Sequence, residues 1–273
     1  MGGSGAPLVL LHGYPQTHVM WHKVASRLQQ HFTLICPDLR GYGDSGKPPS
    51  DHRHATYSKR AMAADVVDAM RALGFERFSV AGHDRGGRVA HRLALDHPSK
   101  VQRLAVLDIA PTREMYRDTT DAFARAYWHW FFLIQPSPFP ERLIGADPEG
   151  YWLKKCGSGS AGLAPFSKAA LAEYLRCFSN PATIQASCED YRAAATIDIE
   201  HDNEDAGRKL TQPLLVLWGE LGVIHRCFRP LDLWRERAHD VRGRALAGGH
   251  YLAEELPDDV SAALVGFFGE QTS

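Results

Sequence analysis

Asp84 stands in the run Val80, Ala81, Gly82, His83, Asp84, Arg85, Gly86, Gly87, Arg88, between an apolar stretch (78–80) and a helix-like pattern of Val89, Leu93 and Leu95. Gly-x-nucleophile-x-Gly between a strand and a helix is the signature of a nucleophile elbow. That sharp turn holds one side chain out over the end of a parallel sheet. Gly82 and Gly86 suit its crowding, where a Cβ would clash. The apex residue is neither Ser nor Cys. A carboxylate there can attack carbon directly and form a covalent ester. Arg85 and Arg88 are three positions apart and fall on one side of the helix start. Both would lower the pKa of Asp84 and keep it ionised. Two buried guanidinium groups are a desolvation liability around a neutral ligand. A carboxylate ligand supplies the missing charge and accepts paired N–H bonds.

An ester on Asp84 needs a base and an oxyanion hole. His12, Gly13, Tyr14 and Pro15 follow the first apolar run, and a turn there can offer the Tyr14 N–H to an oxyanion. The second N–H would come from Arg85, the residue after the nucleophile. By itself this turn is no different from any strand-to-helix turn. Most of the 14 histidines read as packing or surface residues, His22, His31, His97 and His239 among them. His83 reads as scaffold. His250, in Gly248, Gly249, His250, Tyr251, follows the last apolar run, where the chain order nucleophile, acid, histidine places a base. The acid is Asp108, at the end of Leu107, Asp108, Ile109, with Glu220 as runner-up. Gly222 holds the place where a W-G-x-x-D pattern would put an Asp. Asp38, Arg40, Asp44 and Ser45, in a Gly-rich loop, read as braces of that loop.

These residues need elements to position them. Residues 8–11, 33–36, 78–81, 104–107, 214–218 and 244–247 read as short strands, mostly apolar as buried parallel strands are. Helical patterns lie at 18–31, 58–73, 87–96, 231–239 and 257–268, the last opening with Pro257, Asp258 and Asp259. The alternation predicts an α/β fold with helices on both faces of a parallel sheet. It breaks between about 111 and 212, a stretch rich in aromatics with no strand pattern, read as a helical cap inserted after the strand ending at Asp108. Domain bounds follow: 1–110 and 213–273 form the core, and 111–212 the cap. Residues 157–162 (GSGSAG) look the most flexible.

The 273 residues suffice for one such domain with a sizeable core. With 31 basic against 32 acidic residues, no bulk pull toward nucleic acid or an anionic membrane arises. Five scattered cysteines without a C-x-x-C pair suit a reducing, cytoplasmic setting. No apolar run approaches a membrane span, and the start lacks a signal-peptide pattern.

Asp84, His250, Asp108 and the His12–Pro15 turn together resemble the Asp-nucleophile branch of the α/β-hydrolase superfamily, which holds haloalkane dehalogenases, epoxide hydrolases and haloacetate (fluoroacetate) dehalogenases. The last group is the most similar. His83 to Arg88 matches its nucleophile motif, and Asp108 the place of its acid. Tyr127, Trp128, His129 and Trp130 match a cap motif, and Cys188, Glu189, Asp190, Tyr191 and Arg192 a second cap segment. The resemblance covers essentially the whole chain. It implies hydrolytic dehalogenation of short 2-haloacids to 2-hydroxy acids through an ester on Asp84, with water as co-substrate and no metal or organic cofactor. Arg85 and Arg88 would hold the substrate carboxylate. His129, Trp130 and Tyr191 would donate hydrogen bonds to the departing halide, and the protein would be a homodimer. Epoxide hydrolysis is the alternative, but it needs two acidic donors and Tyr191 supplies one. A non-catalytic binding module is the third reading, disfavoured because such modules commonly lose a triad member.

Two departures from the family pattern stand out. Relatives begin with a further pair of strands, and without them the 33–36 strand is expected to be a bare edge, an aggregation risk. A Trp that usually lies near the substrate aligns close to Ser158, where a small residue is expected to enlarge or loosen the pocket.

Overall fold

Six apolar runs become the strands β1 (Ala6–Leu11), β2 (Phe32–Ile35), β3 (Phe78–His83), β4 (Val101–Leu107), β5 (Leu214–Gly219) and β6 (Val241–Leu246). The computed structural model describes residues 1–159 and 161–270. All neighbouring strands pair in parallel, in the order β2-β1-β3-β4-β5-β6. Parallel neighbours require crossovers, and the connecting helices cover both faces. The strand order reverses between β1 and β3. A crevice opens there at the carboxyl ends of the strands, the usual ligand position in such sheets.

Local chemistry explains the helix boundaries. Ser58 caps Lys59–Ala72 by accepting from the Ala61 N–H at 3.2 Å, and Met62, Val66 and Met70 form that helix's buried stripe. The pattern over 18–31 splits into a 3-10 turn, His18–Trp21, and a helix, His22–Leu28. The 231–239 pattern stops at Arg235, because Ala238 is drawn into a parallel bridge with Leu210. β6 starts three residues ahead of its expected onset: Arg242 and Arg244 alternate with less exposed neighbours on this edge strand and hide its apolar character.

Between β4 and β5 lie eight helices, from Thr112–Arg117 to Ile197–Glu204, with no strand among the described residues. Their aromatic richness is packing: Trp152 stacks on Tyr174 at 5.7 Å and Tyr151 on Phe178 at 5.8 Å. In the 157–162 stretch, Gly157 closes the helix Pro148–Gly157 and Gly162 adopts a φ of +57°, while Ser160 lies outside the described residues.

The edge at β2 is not wholly bare. Gly2 pairs antiparallel with Leu34, its N–H donating to the Leu34 carbonyl at 3.2 Å and its carbonyl accepting at 2.8 Å. A recess of about 540 Å³ beside this edge is lined by Val9, Ile35, Leu39, Met62 and Met70, among others, and by none of the candidate catalytic residues. All five cysteines are free. No described helix is long and apolar enough to cross a membrane.

Candidate active site

The turn from β3 into the helix Arg85–Asp96 places Asp84 at the crevice with φ 47° and ψ −114°. This backbone is strained for any residue with a Cβ, and such strain gathers at functional sites. The two glycines make it fit. A Cβ on Gly82 would lie 2.3 Å from the Gly86 carbonyl oxygen, and one on Gly86 would lie 2.5 Å from those of Leu11 and His12. Gly13 is needed as well, since its Cβ would lie 2.6 Å from the Asp84 Cβ. The turn after β1 thus sits directly on the nucleophile candidate, and the Tyr14 N–H donates to Asp84 Oδ1 at 3.0 Å.

Asp84 is buried at 4 % exposure. Burial by itself would raise its pKa. The neighbouring His250, Arg88 and Arg85 outweigh burial and hold the carboxyl well below its usual range. Asp84 also sits at the N-terminus of a twelve-residue helix, whose dipole favours negative charge.

The base and acid converge from β6 and β4. His250 Nδ1 donates to Asp108 Oδ2 at 2.6 Å, and Nε2 faces Asp84 Oδ2 at 4.0 Å. Asp108 Oδ1 accepts from the Gly219 N–H at 2.9 Å. Glu220, the runner-up acid, is exposed and meets the sheet only through its backbone, its N–H donating to the Leu246 carbonyl at 2.8 Å. Gly222 is more informative. A Cβ there would lie 3.4 Å from Asp108 Oδ1, so the two possible acid positions, after β4 and after β5, reach the same spot.

Glu255, which the sequence did not single out, and His83, read as scaffold, hold the His250 loop. Glu255 accepts from the N–H groups of Gly249 at 2.6 Å and Tyr251 at 3.0 Å, one on each side of His250. His83 Nε2 donates to the His250 carbonyl at 2.8 Å. Burial pushes the His83 pKa down to about 3, so the ring is neutral and serves as scaffold.

The arginines behave differently from one another. Arg85 is fully buried and already forked onto Asp190, with Nε donating to Oδ2 at 2.9 Å and Nη2 to Oδ1 at 2.6 Å. Asp190 also takes Lys59 Nζ and accepts from the Tyr42 hydroxyl at 2.5 Å. Arg88 has no carboxylate partner among the described residues. Its Nη1 donates to the Ala110 carbonyl at 3.0 Å and Thr112 Oγ1 at 2.8 Å, and its Nη2 lies 3.3 Å from Met115 Sδ. The motif containing Asp190 was legible in the sequence, but its grip on Arg85 spans 105 positions and no local spacing encodes it.

His129, Trp130 and Tyr191 come together over these cations. The Arg85 guanidinium lies 4.2 Å from the centre of the Tyr191 ring, and that of Arg88 lies 4.7 Å from Trp130. Tyr191 meets Tyr14, His129 and Trp130 edge to face at 5.1, 5.9 and 6.3 Å. Burial, with Lys155 nearby, holds His129 well below the usual histidine value, so its ring is neutral. Four nitrogens of this cluster are buried without a partner: Arg85 Nη1, Arg88 Nε, His129 Nδ1 and Trp130 Nε1. Buried polar groups are rarely left unpaired, and such a cluster is shaped for an acceptor the protein does not supply. Among the described residues, no group of three or more His, Cys, Asp or Glu side chains could hold a metal ion.

Trp128, Ser158 and His250 line a further recess of about 520 Å³ that leads to the triad from outside. Ser158 is exposed at its rim.

The alpha/beta hydrolase fold family matches residues 6–222. The chain is 48 % identical to a fluoroacetate dehalogenase from Burkholderia sp over 275 aligned positions, covering all of this chain and 90 % of the relative. It is 37 % identical to a soluble epoxide hydrolase from Corynebacterium sp. (strain C12), covering 97 % of this chain and 91 % of that one. The crystal structure of an alpha/beta hydrolase from Nostoc sp PCC 7120 superposes with a TM-score of 0.96 at 58 % identity, covering 99 % of this chain and 93 % of its own. The chain belongs to the α/β-hydrolase superfamily and, within it, to the haloacetate dehalogenase family.

Proposed function

We propose that the protein hydrolyses the carbon–halogen bond of short 2-haloacids, giving a 2-hydroxy acid, halide and a proton. The observation that carries this is the set of buried, unpartnered N–H donors on Arg85, Arg88 and Trp130 beside an ionised Asp84. Arg88 donates to no carboxylate among the described residues, a gap that a neutral substrate would leave. A carboxylate fills it, and the 48 % identical relative is a fluoroacetate dehalogenase.

The geometry suggests how the steps run. Asp84 Oδ1 is held by the Tyr14 N–H, which leaves Oδ2 to attack. Arg85 Nη1 and Arg88 Nε would hold the substrate carboxylate. Oδ2 attacks the carbon bearing the halogen, opposite the leaving group, and an ester forms as the carbon–halogen bond breaks. Halide leaves toward His129, Trp130 and Tyr191, whose donors stabilise its developing charge. Oδ1 is now the ester carbonyl oxygen. His250, held by Asp108 with Nε2 toward Asp84, takes a proton from water, and the water oxygen attacks Asp84 Cγ. The oxyanion on Oδ1 rests against the N–H of Tyr14, with that of Arg85 as second donor. Collapse of the oxyanion breaks the Cγ–Oδ2 bond, the departing alkoxide takes the proton from His250 to become the 2-hydroxy acid, and the Asp84 carboxyl, now holding the water oxygen, releases a proton to regenerate the carboxylate. The helical insertion between β4 and β5 would act as the cap that excludes bulk water.

Incubation with fluoroacetate, chloroacetate and 2-chloropropionate tests this by halide-ion readout. Halide release by the wild type and its loss in Asp84→Ala are expected. Single turnover in heavy-oxygen water should place the label in Asp84 first. Turnover of esters or epoxides, with no halide from any haloacid, would sink the proposal.

Epoxide hydrolysis is the second reading, favoured by the 37 % identical epoxide hydrolase. Besides Tyr191, Tyr127 offers a hydroxyl beside the triad, its oxygen 3.4 Å from His250 Nδ1. Diol formation from a styrene-type epoxide, outpacing halide release, would decide for it.

A further inference from the structure

The recess leading to His250 has an uneven charge. Arg125, Lys154 and Arg226 are among its lining side chains, and among the described residues no carboxylate is. All three are exposed. Arg125 meets Asp121 one turn away at 2.8 Å, an exposed pair that leaves its field largely in solvent. The other two come from opposite walls: Lys154 from the helix Pro148–Gly157 of the insertion, Arg226 from the helix Val223–Cys227 that follows β5. Deeper in, Lys155 Nζ lies 3.4 Å from the Tyr251 hydroxyl and 5.9 Å from the centre of the Tyr14 ring. Arg85 and Arg88 then flank Asp84. Cations therefore stand at the mouth of the recess, at Lys155 beside Tyr251 and Tyr14, and next to the nucleophile candidate, in a protein of net charge −1. A cleft lined by one sign of charge between low-dielectric walls focuses the field and concentrates small ions of the other sign.

We propose that this recess is the entrance for an anionic substrate and that Arg125, Lys154 and Arg226 steer it in. The inference rests on the haloacid reading and adds to it: selection for an anion begins at the mouth, before Arg85 and Arg88 are reached. None of the three rim cations touches the reacting atoms, so they act on capture alone.

The test uses the full chain and a variant carrying Arg125→Gln, Lys154→Gln and Arg226→Gln. For the wild type, kcat/KM on chloroacetate should fall several-fold from about 10 mM to about 150 mM salt, as the Debye length shrinks from roughly 30 to 8 Å. In the variant the low-salt kcat/KM should drop about 3- to 10-fold and its salt dependence should flatten, with kcat unchanged. A second readout needs no turnover. Trp128 lines the recess and is half-buried, whereas Trp21, Trp130, Trp152, Trp218 and Trp234 are at most 9 % exposed. Iodide should quench tryptophan fluorescence less in the variant, while quenching by neutral acrylamide stays the same. Salt profiles and iodide quenching that match the wild type overturn the proposal, as does an equal loss of iodide and acrylamide quenching. If the wild type releases no halide from any haloacid, the proposed reaction fails, and the iodide comparison still decides the entrance.

Discussion

The two oxygens of the Asp84 carboxylate are inequivalent before any substrate arrives: Oδ1 accepts from the Tyr14 N–H and Oδ2 faces His250. Ester formation on Oδ2 needs no base, whereas its hydrolysis needs His250. His250→Asn should therefore release about one halide per chain and stop, with the carboxymethyl ester visible by mass spectrometry on the peptide holding Asp84. Continued turnover, or a stall without an adduct, would contradict the covalent route. Asp108 fixes the His250 ring, so Asp108→Asn should slow ester hydrolysis by about 10³- to 10⁴-fold. Gly222 offers a sharper test, because its φ of −82° suits any residue and a Cβ there would sit 3.4 Å from Asp108 Oδ1. Adding Gly222→Asp to Asp108→Asn should recover at least about tenfold of the lost rate, by bringing a carboxylate back to His250 Nδ1. Gly222→Asp alone should be harmful, since two carboxylates within van der Waals reach cannot both ionise cheaply. Steady-state halide release on the three variants checks both expectations.

At the scale of elements, the elbow is a packing problem solved by glycine. In Gly82→Ala the new methyl meets backbone of the following helix, which cannot rotate away as a side chain could. A loss of about 2–3 kcal/mol is expected, visible as a lowered urea midpoint, with activity falling further than stability as Asp84 shifts. Unchanged stability would show that the turn relaxes. The same element was plain in the sequence because its signal is local: two glycines, an apolar run before and a helical period after. β1, β3, β4 and β5 were legible for the same reason, being apolar on both faces. β6 was legible only at its end, because edge position lets Arg242 and Arg244 face solvent. The sequence also pointed to Asp108 and His250 by chain order, and their 2.6 Å contact closes 142 positions apart. Long-range pairing without a motif was out of reach. The hold of Asp190 on both Arg85 and Lys59, the Glu255 clamp on the His250 loop and the Gly2 bridge to Leu34 are set by the finished fold, and nothing in neighbouring residues announces them.

The whole molecule is nearly neutral, but its interior carries much charge, and pH is the means of reading it. Arg85 with Asp190, Arg92 with Asp202, and Arg237 with Glu114 are all largely buried and paired, so breaking any one leaves an uncompensated charge. Asp84 and Asp190 have pKa values below the ordinary carboxylate value. Their contribution is complete above about pH 4, the unfolded value, and is lost only as pH falls below it toward the folded values. The histidines act earlier. Burial pushes His83 and His91 each down to about 3, so the folded chain keeps them neutral where the unfolded chain protonates them from about pH 6.5 downward. The unfolded state then binds more protons, and stability falls with pH by about 1.4 kcal/mol per unit for each such histidine. His18, raised by its bond to Asp38 but half-exposed, works weakly in the other direction. Acid destabilisation should therefore begin near pH 6, well above the carboxylate range. His91 isolates the effect: it lies outside the candidate site, packs edge to face on Trp234 at 5.1 Å and has a buried Nε2 with no partner. Urea unfolding of the wild type and His91→Phe from pH 8 to pH 4 should give similar stabilities at the top of the range. Below pH 6.5 the variant should fall less steeply, by about one proton's slope, and become the more stable protein. Parallel curves would mean that His91 is protonated in the native state and finds an acceptor when charged.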